Sequence, residues 1–297
     1  MAVPRLSNQM MARNTLADLN RASNDLYRTQ RKMSSGKEIT KPSDDPFAFT
    51  QARSQTAGQA RAAAYERAIS HTLPSLEVSD STLADVENVM RRVRDIAIQG
   101  ANDTLNGNDR ETLRSELDGL KQQLVTLANA KTGDRYVFGG YRDDQPPYDA
   151  DGVYSGATET QSVEVARNVM LPVGITGDRI FGNANGGQDI FEAITELQDA
   201  LTSGVALDIS AAIEPLDVSL EQARVARSSL GNHLNAADVS MTMATRHQDE
   251  AREARSKLVE IDAVDAYSEL MSAMSALNAA IEIAAQIPPP GLIERAR

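Results

Sequence analysis

Residues 209–287 read ISAAIEPLDVSLEQARVARSSLGNHLNAADVSMTMATRHQDEAREARSKLVEIDAVDAYSELMSAMSALNAAIEIAAQI, and the fold turns on this stretch. Ile213, Leu216, Leu220, Ala223, Leu230, Leu234, Ala237, Met241, Ala244, Ala251 and Leu258 fall on alternating steps of three and four. That is the period of a helix seam facing a partner helix. Arg227, Gln248 and Arg255 interrupt it. Pro215 is placed to kink the run near its start; from Leu216 to Ile287 there is no further proline, and Gly231 is the weak point. A continuous helix over 216–287 is about 110 Å long at roughly 1.5 Å per residue, longer than an ordinary globular domain is wide. The predicted fold class is therefore mainly α, an elongated helical bundle or coiled coil, with the other segments packed along this helix.

The 297 residues suffice for one large domain or two to three small ones, and 41% hydrophobic content suffices for a core. Aromatic residues make up 4%, with no tryptophan, which suits slim bundles with seams of Leu, Ala, Met and Ile. Cysteine is absent, which removes disulfides and thiolate chemistry. The net charge of −12 argues against a general nucleic-acid binder. Residues 1–32 alternate polar and apolar, unlike a cleavable signal peptide, and no stretch reaches the roughly 20 apolar residues that span a bilayer. The expectation is a soluble chain with no membrane insertion.

At the N-terminus, Leu16, Leu19, Ser23, Leu26, Gln30 and Met33 lie on a narrow, partly polar heptad seam, marginal if alone. Up to Lys41 there are eight basic residues (Arg5, Arg13, Arg21, Arg28, Arg31, Lys32, Lys37 and Lys41) against Asp18, Asp25 and Glu38. Between Lys257 and Arg295 there are none, but Glu260, Asp262, Asp265, Glu269, Glu282 and Glu294 are acidic. The two ends are complementary, so the terminal helices are predicted to pair, with charge tuning register more than holding them.

A break follows at Ser34-Ser35-Gly36 and at Pro42-Ser43-Asp44-Asp45-Pro46. Gly36 can close a helix, and Ser43 to Asp45 offer capping oxygens for one that carries Pro46 in its first turn. From Pro46 to about Ser70 the chain is helical in propensity, punctuated by Pro74. A second helix carries Leu83, Val86, Met90, Val93 and Ala97, flanked by Leu76, Val89 and Ile96. A third, predicted to be capped by Asn108 with Glu111, steps through Leu113, Leu117, Leu120, Leu124 and Leu127, and the two form an antiparallel hairpin. Between Thr132 and Gly187 the period changes and aromatic residues gather. Short strands are predicted at 136–138, 153–154, 161–165 and 169–173, with Asp151-Gly152 as a hairpin turn, making a small β insertion at the tip of the hairpin. Residues 188–201 return to a helical seam through Ile190, Ile194, Leu197 and Leu201 before Gly204.

The end of the long helix has two apolar stripes. Val264, Tyr267, Met271, Met274, Ile281 and Ala285 form one; Leu270, Ala273, Leu277, Ala280, Ala284 and Ile287 form the other. A helix apolar over so much of its circumference expects more than one neighbour, which points to assembly. Pro288-Pro289-Pro290 ends it, and the tail to Arg297 is expected to be mobile.

Chemistry finds little support. His71, His233 and His247 are far apart and no HExxH spacing exists, so no metal or other cofactor is expected. Asp149-Ala150-Asp151-Gly152 resembles part of a calcium loop but lacks the closing glutamate, and a hairpin turn fits it better. No pair among the 42 acidic residues stands out as acid and base, so no catalytic residue is assigned. Arg91, Arg92 and Arg94 read either as a solvated helix face or, for Arg92, as a packing contact.

The run Met33-Ser34-Ser35-Gly36-Lys37-Glu38-Ile39 with Pro42-Ser43-Asp44-Asp45-Pro46 resembles the N-terminal signature of the flagellin superfamily. Pro42 and Pro46 resemble its distal hook-filament junction family, where flagellins usually carry alanines. Ala97-Ile98-Gln99-Gly100-Ala101-Asn102, Gly133-Asp134-Arg135-Tyr136-Val137-Phe138-Gly139-Gly140, Val264-Asp265-Ala266-Tyr267 and Leu277-Asn278-Ala279-Ala280 match in the same order. The Met90 to Ala97 segment is similar to the flagellin segment of filament packing and receptor recognition. The C-terminal tail departs from the family's leucine-rich ending. The resemblance implies a structural part of the bacterial flagellum, exported unfolded through the flagellar type III apparatus without a cleaved signal. It implies a ring of copies between the proximal junction protein and flagellin, with the filament capping protein and a flagellar export chaperone as further partners.

The predicted organisation is 1–45 with 250–297 as terminal assembly helices, 46–131 with 188–249 as a helical rod, and 132–187 as the β insertion. Assembly contacts are expected at Leu16, Leu19, Leu26, Met33, Arg92, Val264, Tyr267, Leu270, Met271, Met274, Leu277, Ile281 and Ala284. Ser35, Gly36, Pro42, Asp44, Asp45 and Pro46 form the signature turn. Two alternatives remain: a filament-forming flagellin, against which Pro42, Pro46 and the Gly133 to Gly140 block count, and a secreted surface or glycan-binding module using Tyr141, Tyr148 and Tyr154.

Overall fold

The computed structural model describes residues 3–102 and 105–286, apart from the side chains of 3–9 and of Asn185. Within them the chain is mainly helical with a small β part. In order come α1 (Val3–Ser35), α2 (Pro46–Gly100), α3 (Gly107–Ala128), β1 (Lys131–Thr132), β2 (Arg135–Tyr136), β3 (Ser162–Ala166) and β4 (Val169–Pro172). Then follow α4 (Gly177–Ile180), a 3₁₀ turn at Ala184–Gly186, α5 (Ile190–Ser203), α6 (Ala206–Ala211), α7 (Ile213–Val259) and α8 (Ala263–Gln286). The chain divides into two compact units, Met1–Ala60 with His247–Arg297, and Arg61–Arg246.

The second unit holds one apolar core. Leu76, Leu83, Val86, Met90, Val93 and Ile96 of α2 are buried with Leu113, Leu117 and Leu124 of α3, Ile190, Ile194 and Leu197 of α5, and Leu216, Leu220, Ala223, Leu230 and Ala237 of α7. The long seam is thus buried where its period places it. Arg227, which interrupts the period, pairs with Asp80 at 3.1 Å and Glu87 at 3.5 Å, so its charge is answered from α2. Arg92 links α2 to α3 through Glu116, its Nε donating to the carboxylate at 2.7 Å.

Four helix boundaries differ from the sequence expectation. Pro74 lies inside α2 instead of ending a helix. Its missing hydrogen bond and ring clash cost about 3 kcal/mol, while burial of Ile69 and Leu76 on either side contributes roughly 1.5–3 kcal/mol each. Pro215 falls in the first turn of α7, where a missing N–H has no intrahelical acceptor to lose. The cap of α3 is Asn106, whose side chain accepts from the Asp109 amide at 2.9 Å while the Asp109 carboxylate accepts from the Asn106 amide at 3.3 Å. Asn108 and Glu111 repeat the same spacing two residues later, and the earlier box prevails. The largest difference is that the long helix is two, α7 and α8, separated at Glu260–Asp262.

The β part is built on single inward residues more than on strands. β1 pairs antiparallel with β2 and β3 with β4, while Tyr148 and Tyr154 form one isolated bridge. The strand predicted at 136–138 therefore stops at Tyr136. Phe138 instead enters an aromatic cluster, edge-on to Phe181 at 5.7 Å between ring centroids, with Tyr148 at 5.4 Å from both Phe181 and Phe191. Asp149 makes the predicted turn, its carboxylate accepting from the amides of Asp151 at 3.0 Å and Val153 at 2.8 Å.

Candidate assembly surface

α1 and α8 lie in the first unit and pack against each other. On α1 the half-buried positions are Ala12, Thr15, Leu19, Ala22, Leu26, Thr29 and Lys32, a step of three and four made largely of small residues. Leu19 and Leu26 belong to the predicted seam. Leu16 is 61% exposed, and Met33 also stays at the surface. The covered stripe was obscured in the sequence because alanine and threonine carry its period.

On α8 the covered positions are Ala266, buried, and Leu270, Ala273, Leu277, Ala280 and Ala284, half-buried. This is the stripe that α1 packs against. The other stripe is bare: Val264, Tyr267, Met271, Met274 and Ile281 are 43 to 77% exposed. Ile287 and the proline run after it lie outside the described residues. Two apolar faces on one helix, one covered within the chain and one not, make an area that water disfavours and a neighbour can fill.

The joint between α7 and α8 positions both helices. Lys37 and Glu260 form an antiparallel bridge, the Glu38 amide donating to the Val259 carbonyl at 2.8 Å and the Ile261 amide to the Gly36 carbonyl at 3.2 Å. Asp262 then starts α8, its carboxylate accepting from the Val264 amide at 2.8 Å. Ile261-Asp262 ahead of an apolar run is a helix-start signal, and it explains why the long helix breaks there.

The signature turn has the same local logic. α1 ends after Ser35, and Gly36 takes the left-handed conformation at φ +65°, letting the Lys37 amide donate back to the Lys32 carbonyl at 3.3 Å. Asp44 closes the loop, its carboxylate accepting from the amides of Thr40 at 3.1 Å and Lys41 at 3.0 Å. These bonds, the Thr40 amide first, hold its carboxyl below the usual range. Asp45 caps α2, accepting from the amides of Phe47 and Ala48 at 2.9 Å, with Pro46 as the first helical residue. Pro42 lies in the exposed turn between them.

Among the described residues no ion pair within 4 Å joins α1 to α8. Arg21 pairs with Asp18 on its own helix at 3.0 Å, and Lys32 pairs with Glu38 in the turn. Exposed side chains keep their hydration unless geometry holds them together.

Of the three tyrosines considered for glycan contact, Tyr148 is buried and Tyr154 half-buried, its hydroxyl donating to the Ala157 carbonyl at 2.6 Å. Burial pushes both phenols well above their ordinary range. Only Tyr141 of the three stands exposed. Among the described residues, no group of three or more His, Asp or Glu side chains could hold a metal ion, and no helix is long and apolar enough to cross a membrane.

Comparison with known proteins extends this picture over nearly the whole chain. Residues 6–142 match the family of the bacterial flagellin N-terminal helical region. Flagellar hook-associated protein 3 of Escherichia coli K12 is 28% identical over 93% of this chain and 94% of that protein. The protein of the same name from Salmonella typhimurium LT2 is 33% identical over 60% of this chain and 57% of that protein. The solved structure of flagellar hook-associated protein 3 from Legionella pneumophila superposes with a TM-score of 0.63, covering 69% of this chain and 98% of that one at 16% identity, a likeness of fold. Flagellins are more distant relatives.

Proposed function

We infer that this chain, a homologue of flagellar hook-associated protein 3 in the flagellin superfamily, is a structural junction protein of the bacterial flagellum, associated with hook and filament components. The observation that carries the reading is the match to that protein over 93% of this chain and 94% of that protein. Its relatives are structural proteins, and the role needs no catalytic step. The finer reading is a ring of copies that binds the proximal junction protein on one side and flagellin on the other. The filament capping protein above and an export chaperone for the C-terminal segment complete the partners. Export by the flagellar type III apparatus, as an unfolded chain without a cleaved signal, belongs to the same reading.

The mechanism follows from the terminal helices. A stripe such as Val264, Tyr267, Met271, Met274 and Ile281 gains burial only when a neighbour arrives, so assembly stabilises the helices it uses by mass action. We assign Leu19, Leu26, Leu270, Leu277 and Ala284 to pairing within the chain. Leu16, Met33, Val264, Tyr267, Met271, Met274 and Ile281 are assigned to contact between subunits. Arg92 is already paired with Glu116, and its packing role is to fix α2 against α3.

Deleting the gene in its own host tests the reading. Bare hooks with unpolymerised flagellin in the medium are expected. Normal flagella would overturn it, and hooks without any released flagellin would make the chain the filament subunit instead.

A further inference from the structure

Within the second unit a cavity of about 870 Å³ opens between α7 and the β part. Val218, Gln222, Val225, Ser229 and His233 line it from one face of α7, at steps of three and four. They span about 22 Å at roughly 1.5 Å per residue. The opposite wall is largely backbone. The Val173 amide donates to the Gln161 carbonyl at 2.8 Å, and beyond that bond the β3–β4 hairpin is unpaired. Residues 158–160 and 174–176, on either side of the hairpin, line the cavity. Among the described residues, the amides of Thr158, Thr160, Gly174 and Ile175 enter no hydrogen bond. Two side-chain atoms of the lining residues also lack a partner: Thr176 Oγ1, on a residue 2% exposed, and His233 Nδ1. Buried polar groups seldom go unpaired. Gln222 keeps the cavity preformed. Its side-chain nitrogen donates to the carbonyls of Ile180 at 3.0 Å and Gly182 at 2.7 Å, and its oxygen accepts from the Gln188 amide at 3.1 Å, which holds that loop against α7.

We propose that this cavity binds an extended peptide segment of about six residues from another protein, paired through its backbone with 158–160 and 174–176 and resting apolar side chains on the exposed Val218 and Val225. Six residues at about 3.3 Å each match the length of the α7 face. A row of unpaired backbone donors suits a peptide, whose carbonyls repeat along the chain, better than a compact small molecule. Charge narrows the sequence. Arg179 and Glu159 line the cavity, are exposed and enter no ion pair, whereas Glu221 is answered by Arg224 on its own helix at 3.7 Å. The peptide therefore carries one acidic side chain for Arg179 and one basic side chain for Glu159. This site goes beyond the junction reading and uses neither α1 nor α8.

The test immobilises the full-length chain and offers it a random library of synthetic hexapeptides, acetylated and amidated so that side chains alone carry charge. Wild type should enrich, over the bare support, sequences with one acidic and one basic residue. Arg179→Glu should select a second basic residue in place of the acidic one, and Glu159→Lys a second acidic residue in place of the basic one. Each variant should bind the peptides selected on wild type about tenfold or more weakly. Val225→Asp, with helicity unchanged by circular dichroism, should lose them to about the same degree. No enrichment by wild type would overturn the proposal. Retention of the same sequences by all three variants would overturn it too, by placing the binding on another surface such as the exposed stripe of α8. Both results leave the junction reading intact.

Discussion

Lys37 and Glu260 meet backbone to backbone in an antiparallel bridge, where the exit of α1 is tied to the entry of α8. Two amide bonds flank it, from Glu38 to Val259 at 2.8 Å and from Ile261 to Gly36 at 3.2 Å. The bridge fixes where two helices with apolar stripes begin, and so how those stripes are presented.

Replacing Ile261 by proline removes the donor to Gly36, a bond worth about 1 kcal/mol net. The expected result is faster amide exchange along α8 with unchanged protection of the α2 amides near Leu83 and Met90. Equal protection of α8 in the variant would mean that the bridge does not anchor it.

Met274 and Leu277 separate the two stripes of α8, being exposed and half-buried respectively. Met274→Asp should leave helicity unchanged and abolish filament attachment. Leu277→Asp puts a charge into the α1–α8 seam, at a cost of several kcal/mol if it stays ionised there, and should lower helicity by circular dichroism. Identical behaviour of the two variants would show that the stripes are not distinct.

Much of this was legible in the residues. The buried faces of α2, α3, α5 and α7 follow Leu, Val, Ile and Met at helical spacing, and the two stripes of α8 lie where their periods put them. Where the structure departs from the periodic pattern, a local competition decides the outcome. The α1 seam runs through Ala12, Thr15, Ala22 and Thr29, residues with too little apolar contrast to announce a face. Asp262 starts a new helix where periodicity alone continues the old one, because a carboxylate that accepts two amides outweighs a pattern with no penalty for stopping. The aromatic cluster gathers Phe138, Tyr148 and Phe181 from separate connecting segments and Phe191 from the first turn of α5, a long-range arrangement that spacing does not encode.

The signature turn should respond to acid late. Asp44 is held in its ionised form by the amides of Thr40 and Lys41, which lowers its carboxyl from the ordinary value. A lowered folded value means the contribution is present at and above the ordinary carboxylate range near about pH 4 and is lost as pH falls through the folded value. The Thr40 and Lys41 amides should therefore stay protected at pH 4 and exchange faster only below it, and Asp44→Ala should expose them at every pH. Loss of protection centred above pH 4 would contradict the assignment.

Arg227 answers Asp80 and Glu87 across α7 and α2, with about a third of its side chain exposed. Screening limits such a pair to about 1 kcal/mol. Arg227→Met should then lower the melting temperature by roughly 2–4 °C, and combining it with Asp80→Asn should cost less than the sum of the two alone. Strict additivity would mean the pair carries no coupling.

Two glycines offer opposite outcomes from one substitution. Gly152 sits at φ +89°, and a Cβ there would meet the Phe191 ring at 2.4 Å, inside the aromatic cluster. Gly152→Ala therefore combines a disfavoured backbone with a clash against a ring that Tyr148 and Phe181 hold in place, and should cost about 2–4 kcal/mol. Gly119 lies inside α3 with nothing within 4 Å of its added Cβ, so Gly119→Ala should raise stability by about 0.5–1 kcal/mol through backbone entropy alone. Thermal unfolding of the two variants decides the matter. If Gly152→Ala melts as the wild type does, the aromatic cluster is loose enough to give way, and the β part is not held by the packing of Phe191.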